Sequence, residues 1–212
     1  MELTFGQPSF NIFRTTGILY ALKYSLPQHI LKIIYNTLIL SKLHYGVLVW
    51  GQKIHTLETL QKKAIRHIAG PGVGFNAHTA PLFKNLKLLK VCDIYKLQLV
   101  KLFFKIKNNI APHYFINLNI PQNRDIHHHD TRQSSQLHVQ LVRHSFTNST
   151  ITNKLIGIIN SMSNEIQEKI YIMNMYSFAT FVKRLFIESY VIECQVQNCF
   201  ICQHRDRGNL NI

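Results

Sequence analysis

The chain has 212 residues, enough for one or two domains with a real core, and its 46% apolar content excludes a disordered chain. Charged residues are only 16% of the total, but 24 Lys and Arg stand against 10 Asp and Glu, a net charge of +14. So one-sided a balance points to a polyanionic partner, nucleic acid or an anionic membrane surface. The start, "MELTFGQPSF", has an early Glu and no basic run, so no secretory signal is read there. Four cysteines in this length do not make a disulfide framework, and an intracellular, reducing setting is expected.

Residues 1–16 read as an irregular N-terminus. A helix is expected over Leu31–Trp50, with Pro27 in its first turn and Gly51 as its stop. It carries two apolar stripes, Leu31, Ile34, Leu38 and Tyr45 on one side and Ile33, Leu40 and Val47 on the other. A helix apolar on two faces is buried on two faces. Its stretches free of Lys and Arg, Ile33–Ser41 and Leu43–Gln52, fall short of the roughly 18–20 residues of a membrane span.

"TLETLQKKAIRHIAG" is the most clearly amphipathic segment. Leu57, Leu60, Ala64, Ile65 and Ile68 share one face; Lys62, Lys63, Arg66 and His67 share the other. Thr56 is the expected cap, Glu58 suits the first turn, and Gly70-Pro71 ends the helix. The basic face suits phosphate contacts, and the net charge favours that over a merely solvated surface. "GPGVGFNAH" lacks the G-x-x-x-x-G-K-[ST] pattern and reads as a loop between helices. "TAPLFKNLKLLK" is a short helix with Thr79 near its cap. The next helix, "DIYKLQLVKLFFKIKNN", sets Tyr95, Leu99, Leu102, Phe103 and Ile106 on one apolar face and Leu97, Val100 and Phe104 on a second. Lys101 and Lys105 lie on the polar strip between, and Pro112 is expected to close the element.

Residues 117–150 are rich in Asn, His, Gln and Ser, without helical period, and read as an irregular linker. A C-terminal helical segment is expected over 151–190. It includes a short helix capped by Ser163 and an amphipathic one capped by Ser177, with Phe178, Phe181, Val182, Leu185 and Phe186 on one face. Residues 191–212 form a Cys-containing tail.

Little here suggests catalysis. The ten acids are scattered and no two are adjacent, so no paired carboxylates for acid–base or two-metal chemistry are visible. His127–His129 beside Asp130 alternate in direction on an extended chain and do not converge easily. Cys194, Cys199, Cys202 and His204 contain one C-x-x-C, but His204 follows too closely for the common zinc spacings. No metal, cofactor or catalytic residue is assigned.

Several segments occur in a telling order: "LPQHILKIIYNTLILSKLHYGVLVWG", "LQKKAIRHI", "HTAPLFKNLKLLKVCDIYKLQLVKLFFKIKNNIAPHYF" and "HDTRQSSQLHV". The set resembles the region C-terminal to the polymerase core in jockey-like, LINE-type non-LTR retrotransposon reverse transcriptases. The resemblance runs from about Gly17 to Leu185, and weakens after the "HDTR" segment. It implies a mainly α chain, with a helical thumb-like domain over 17–116 that grips a template–primer duplex. It also implies that the catalytic palm, with its F/Y-x-D-D motif, would precede Met1. This chain departs from the family in its opening residues and in a shorter spacer after Trp50. It also has Ile159-Asn160-Ser161-Met162-Ser163 where relatives often read W-N-S-L-P. These departures fit a truncated or decaying copy.

The expectation is therefore a non-enzymatic piece of an RNA-directed DNA polymerase. It would bind RNA or DNA, largely without sequence preference, through Lys62, Lys63, Arg66, His67, Lys101 and Lys105. An uncovered apolar stripe on the Leu31–Trp50 helix would bring poor solubility or a partner, either the palm or another protein. The alternatives are a protein-interaction module using its apolar helix faces and a basic membrane-surface protein.

Overall fold

The computed structural model describes residues 8–50, 54–74, 77–116, 118, 120–126, 131–139 and 150–190. The fold is mainly α-helical, as expected, with no strand among the described residues. The elements are α1 (Pro8–Leu22), α2 (Gln28–Tyr35), a π-helical turn (Asn36–Leu40), α3 (Ser41–Trp50), α4 (Ile54–Ala69), α5 (Thr79–Asn85) and α6 (Val91–Lys107). They continue with α7 (His113–Ile116), α8 (Asn123–Ile126), α9 (Ile151–Asn160), α10 (Asn164–Ile172) and α11 (Met175–Glu188). The described residues form two compact units, one within Met1–Ile94 and from Arg184 onward, the other within Tyr95–Lys183. The His127–Asp130 run and the Cys194, Cys199, Cys202 and His204 tail lie outside the described residues.

In the first unit, residues 8–16 are helical rather than irregular, because α1 already packs there. Ile12, Thr15, Thr16 and Leu19 are buried, and α1 contacts α4. The two threonines survive burial by bonding back along the helix, Thr15 to the Asn11 carbonyl and Thr16 to the Ile12 carbonyl.

The helix expected over Leu31–Trp50 is present but carries a π turn, and this overturns both expected stripes. The buried positions are Leu31, Tyr35, Ile39, Leu43 and Val47, spaced by four. On an unbroken α-helix that spacing drifts by about 40° per step, leaving Val47 about 160° from Leu31. The π turn absorbs one extra residue and takes back about 100° of the drift. At the turn the Ser41 amide donates to the Asn36 carbonyl, five residues back. Thr37 Oγ1 donates to the Ile33 and Ile34 carbonyls, and Ser41 Oγ to that of Thr37. Tyr45, placed by the straight-helix projection beside Leu31, is 91% exposed, and Val47, assigned to the opposite stripe, is fully buried. The large apolar residues left outside are Ile33, Leu38, Tyr45 and Val49.

Smaller corrections concern helix ends. Helix α4 begins at Ile54, so Thr56 lies inside it, and Glu58 pairs with Lys62 rather than serving a first turn. Its end is as expected: Gly70 takes φ +112°, a left-handed conformation that favours glycine. Helix α6 stops before Pro112. Asn109 turns left-handed at φ 57°, and the Ile110 and Ala111 amides return to the Lys105 carbonyl.

The second unit is built on α6. Its Tyr95, Leu97, Leu99, Val100, Phe103, Phe104 and Ile106 are all buried, so both expected apolar faces are covered; Leu102 is half-buried. Phe104 stacks on Phe178 of α11, centroids 5.1 Å apart at 27°. Within residues 117–150, α8 and an antiparallel bridge between Gln122 and Leu137 give local order. Asn160 clamps this segment by imitating a strand: its Nδ2 donates to the Leu137 carbonyl at 2.8 Å, and its Oδ1 accepts from the Leu137 amide at 3.0 Å. Helix α9, with Leu155, Ile156 and Ile159 buried, was not singled out from the sequence. The cap of α11 is Asn174, whose Oδ1 accepts from the Ser177 amide at 2.8 Å. Ser177 itself lies within the helix.

Candidate nucleic-acid interface

The surface of interest starts from a buried residue. Helix α4 buries Leu57, Gln61, Ala64, Ile65 and Ile68, while Leu60, expected in that set, is only half-buried. Gln61 is fully buried. Its Nε2 donates to Tyr35 Oη at 2.7 Å and to the Leu89 carbonyl at 2.8 Å, and its Oε1 accepts from the Val91 amide at 2.9 Å. Burying an amide is costly unless its bonds are made, and here they reach two separate segments, Tyr35 at the end of α2 and the Leu89–Val91 stretch that leads into α6. Apolar packing tolerates sliding and small rotations; three directional bonds do not. Gln61 therefore fixes the rotation of α4, and with it the outward set of the neighbouring Lys62 and Lys63. Burial also pushes the Tyr35 hydroxyl well above its ordinary range, so it stays protonated.

The four residues expected on the basic face differ in environment. Lys62 pairs with Glu58 at 2.8 Å, which offsets part of its charge. Arg66 is half-buried, and its Nε donates to the Ala77 carbonyl at 3.1 Å, tying the loop after α4 back to the helix. His67 meets the edge of Tyr20, ring centroids 5.3 Å apart at 66°. Burial first, then the charges of Lys23, Arg66 and Lys63, holds the His67 imidazole below its ordinary pKa of 6.5. Lys63, Arg66 and His67 are thus brought together with a fourth basic residue, Lys23, which composition and helix projection did not select.

Around Lys23 stand two tyrosines. Its ammonium lies 4.6 Å from the Tyr20 ring centroid and 4.7 Å from that of Tyr24. Tyr20 is 55% exposed and Tyr24 70% exposed. The signal was in "LYALKY", where two tyrosines four apart flank a lysine, but its worth depends on α1 packing beside α4. Lys101 and Lys105 belong to the second unit, one turn apart on α6. Burial, then the charge of Lys105, lowers the Lys101 pKa from its ordinary value.

Most of the described carboxylates are individually engaged rather than gathered. Asp93 accepts from Tyr190 Oη at 2.6 Å, Asp125 accepts from the Gln122 amide at 2.8 Å, and Glu165 pairs with Lys169. Among the described residues no group of His, Cys, Asp and Glu is placed to hold a metal ion, and no helix is long and apolar enough to cross a membrane. A cavity of about 180 Å³ in the second unit, lined by Phe103, Leu137, Ile159 and Ile170, is below the roughly 300 Å³ of ordinary small-molecule pockets. No family model, curated protein or solved structure matches the chain.

Proposed function

We propose that this chain is a nucleic-acid-binding piece of a non-LTR retrotransposon reverse transcriptase, corresponding to the thumb and the region after it, and without polymerase chemistry of its own. The observation that carries the binding is the clustering of Lys23, Lys63, Arg66 and His67 on the α1–α4 surface, in a chain of net charge +14. The ordered motifs from "LPQHILKIIYNTLILSKLHYGVLVWG" to "HDTR" support the origin. Such a surface contacts phosphates, and phosphate contacts carry little sequence information.

The test is the salt dependence of RNA and DNA affinity. Each phosphate neutralised contributes a slope of about −0.7 to −0.9 in log affinity against log salt. Changing Lys62, Lys63 and Arg66 together to Ala flattens that slope by about two units; an unchanged slope sinks the assignment of this face. A second reading, a protein-interaction module, is favoured by the exposed Ile33, Tyr45 and Val49. It requires binding to a protein that is indifferent to salt.

A further inference from the structure

Phosphate contact alone does not account for the two exposed rings beside the basic cluster. We propose that Tyr20 and Tyr24 are stacking platforms for unpaired bases, so that the α1–α4 surface takes single-stranded nucleic acid in preference to duplex. This rests on the nucleic-acid-binding part of the reading above and departs from its thumb part, which by resemblance implies a grip on duplex.

Two observations carry it. Both rings are largely exposed and so open to a stacked base; exposure alone does not mark them, since Tyr45, Tyr114, Tyr171 and Tyr176 are comparably or more exposed. Both rings belong to one positive patch, flanking the Lys23 ammonium, with His67 at the edge of Tyr20 and Lys63 and Arg66 near His67. Rings set among cations are the pattern by which proteins hold single strands: bases stack on the rings while the lysines follow the backbone. A duplex keeps its bases stacked on each other and offers such rings nothing to stack with.

The geometry also allows exchange. Lys23 sits against solvent-exposed rings on a long flexible stem, so its ammonium can leave them for a phosphate as a base arrives. Every tyrosine offers the same ring to any base, so the preference for single strands comes without a preference for sequence.

The experiment is fluorescence anisotropy on the full chain with a labelled mixed-sequence single strand and a blunt duplex of equal length, each as RNA and as DNA. The proteins compared are wild type, Tyr24→Ala, Tyr20→Ala with Tyr24→Ala, and Tyr20→Phe with Tyr24→Phe. Loss of one stacked base weakens single-strand binding by about 5- to 140-fold. Tyr24→Ala is therefore expected to weaken the single strand by that much and leave the duplex unchanged. The double Phe variant, which keeps both rings, binds as wild type does. Tyr24, the more exposed ring, gives a reading that does not depend on the Tyr20–His67 contact, should the double Ala variant fold poorly.

Equal losses on single strand and duplex, or no loss on either, overturn the stacking role. So does wild-type binding that favours duplex. Wild-type protein that binds neither nucleic acid but sediments with anionic vesicles overturns the nucleic-acid reading itself, a result distinct from failure of the tyrosines alone.

Discussion

The two units hold their helices in register by different means. In the first, a fully buried amide, Gln61, joins α4 to Tyr35, Leu89 and Val91 with three directional bonds. In the second, α6 and α11 meet through stacked apolar rings, Phe104 on Phe178, and the polar clamp of Asn160 on Leu137 is only half-buried. Apolar stacking supplies stability without fixing rotation closely; a buried, satisfied amide contributes less net stability but specifies one arrangement. The unit with the basic cluster has the specific device. The outward side of α4, where Lys63 and His67 lie, depends on the rotation that Gln61 ties to α2 and the Leu89–Val91 stretch.

The comparison can be tested from its strongest term downward. Phe178→Ala removes a buried ring and is expected to cost about 3–5 kcal/mol, read by urea unfolding. A cost below that of Gln61→Leu would reverse the ranking. Gln61→Leu takes this partner from the Tyr35 hydroxyl, the Leu89 carbonyl and the Val91 amide; at about 1 kcal/mol each the expected cost is about 3 kcal/mol. It should also weaken RNA binding, although Gln61 is buried beneath the surface. Full affinity in a folded Gln61→Leu protein would show that the rotation of α4 does not matter. Asn160→Ala is expected to cost about 1–2 kcal/mol, with loss of hydrogen-exchange protection at the Leu137 amide as its local signature.

The smallest effect is on pH dependence. His67 is held below its ordinary value of 6.5, so below that value the unfolded chain binds more protons than the folded one. Stability therefore falls as pH drops through the unfolded value towards the folded one, and His67→Gln removes that part of the slope. Lys23→Ala should raise the His67 pKa by removing one of the charges that depress it. An imidazole titration by NMR that does not move in Lys23→Ala would separate Lys23 from the cluster.

Much of this was legible in the sequence because it is periodic. The spacing of Leu57, Ala64, Ile65 and Ile68 marks the buried side of α4 and so assigns Lys62 and Lys63 to the outer side, while Gln61 fixes the rotation closely. The two apolar faces of α6 followed in the same way, and the stop at Gly70 followed from the local chemistry of Gly70-Pro71. The misses have physical causes. Gln61 is polar, so projection assigns it to solvent; only Tyr35 and the Leu89–Val91 stretch make its burial tolerable. The π turn is a register change driven by packing, and a four-residue spacing of Leu31, Tyr35, Ile39, Leu43 and Val47 is its trace. Tyr20, Lys23 and Tyr24 were passed over because their role depends on a helix more than thirty residues away.

The sequence by itself determined a mainly helical chain, strongly basic, with a positive face on α4 and the ordered motifs that suggest its origin. Periodicity and net charge are sums over local residues, so they survive without coordinates. Only the tertiary structure decided which side of Leu31–Trp50 is buried, that Gln61 fixes α4, and that two tyrosines of the α1 region stand beside the basic cluster. Those depend on which distant groups meet, and a buried hydrogen bond or a shared patch of charge exists only once they have met.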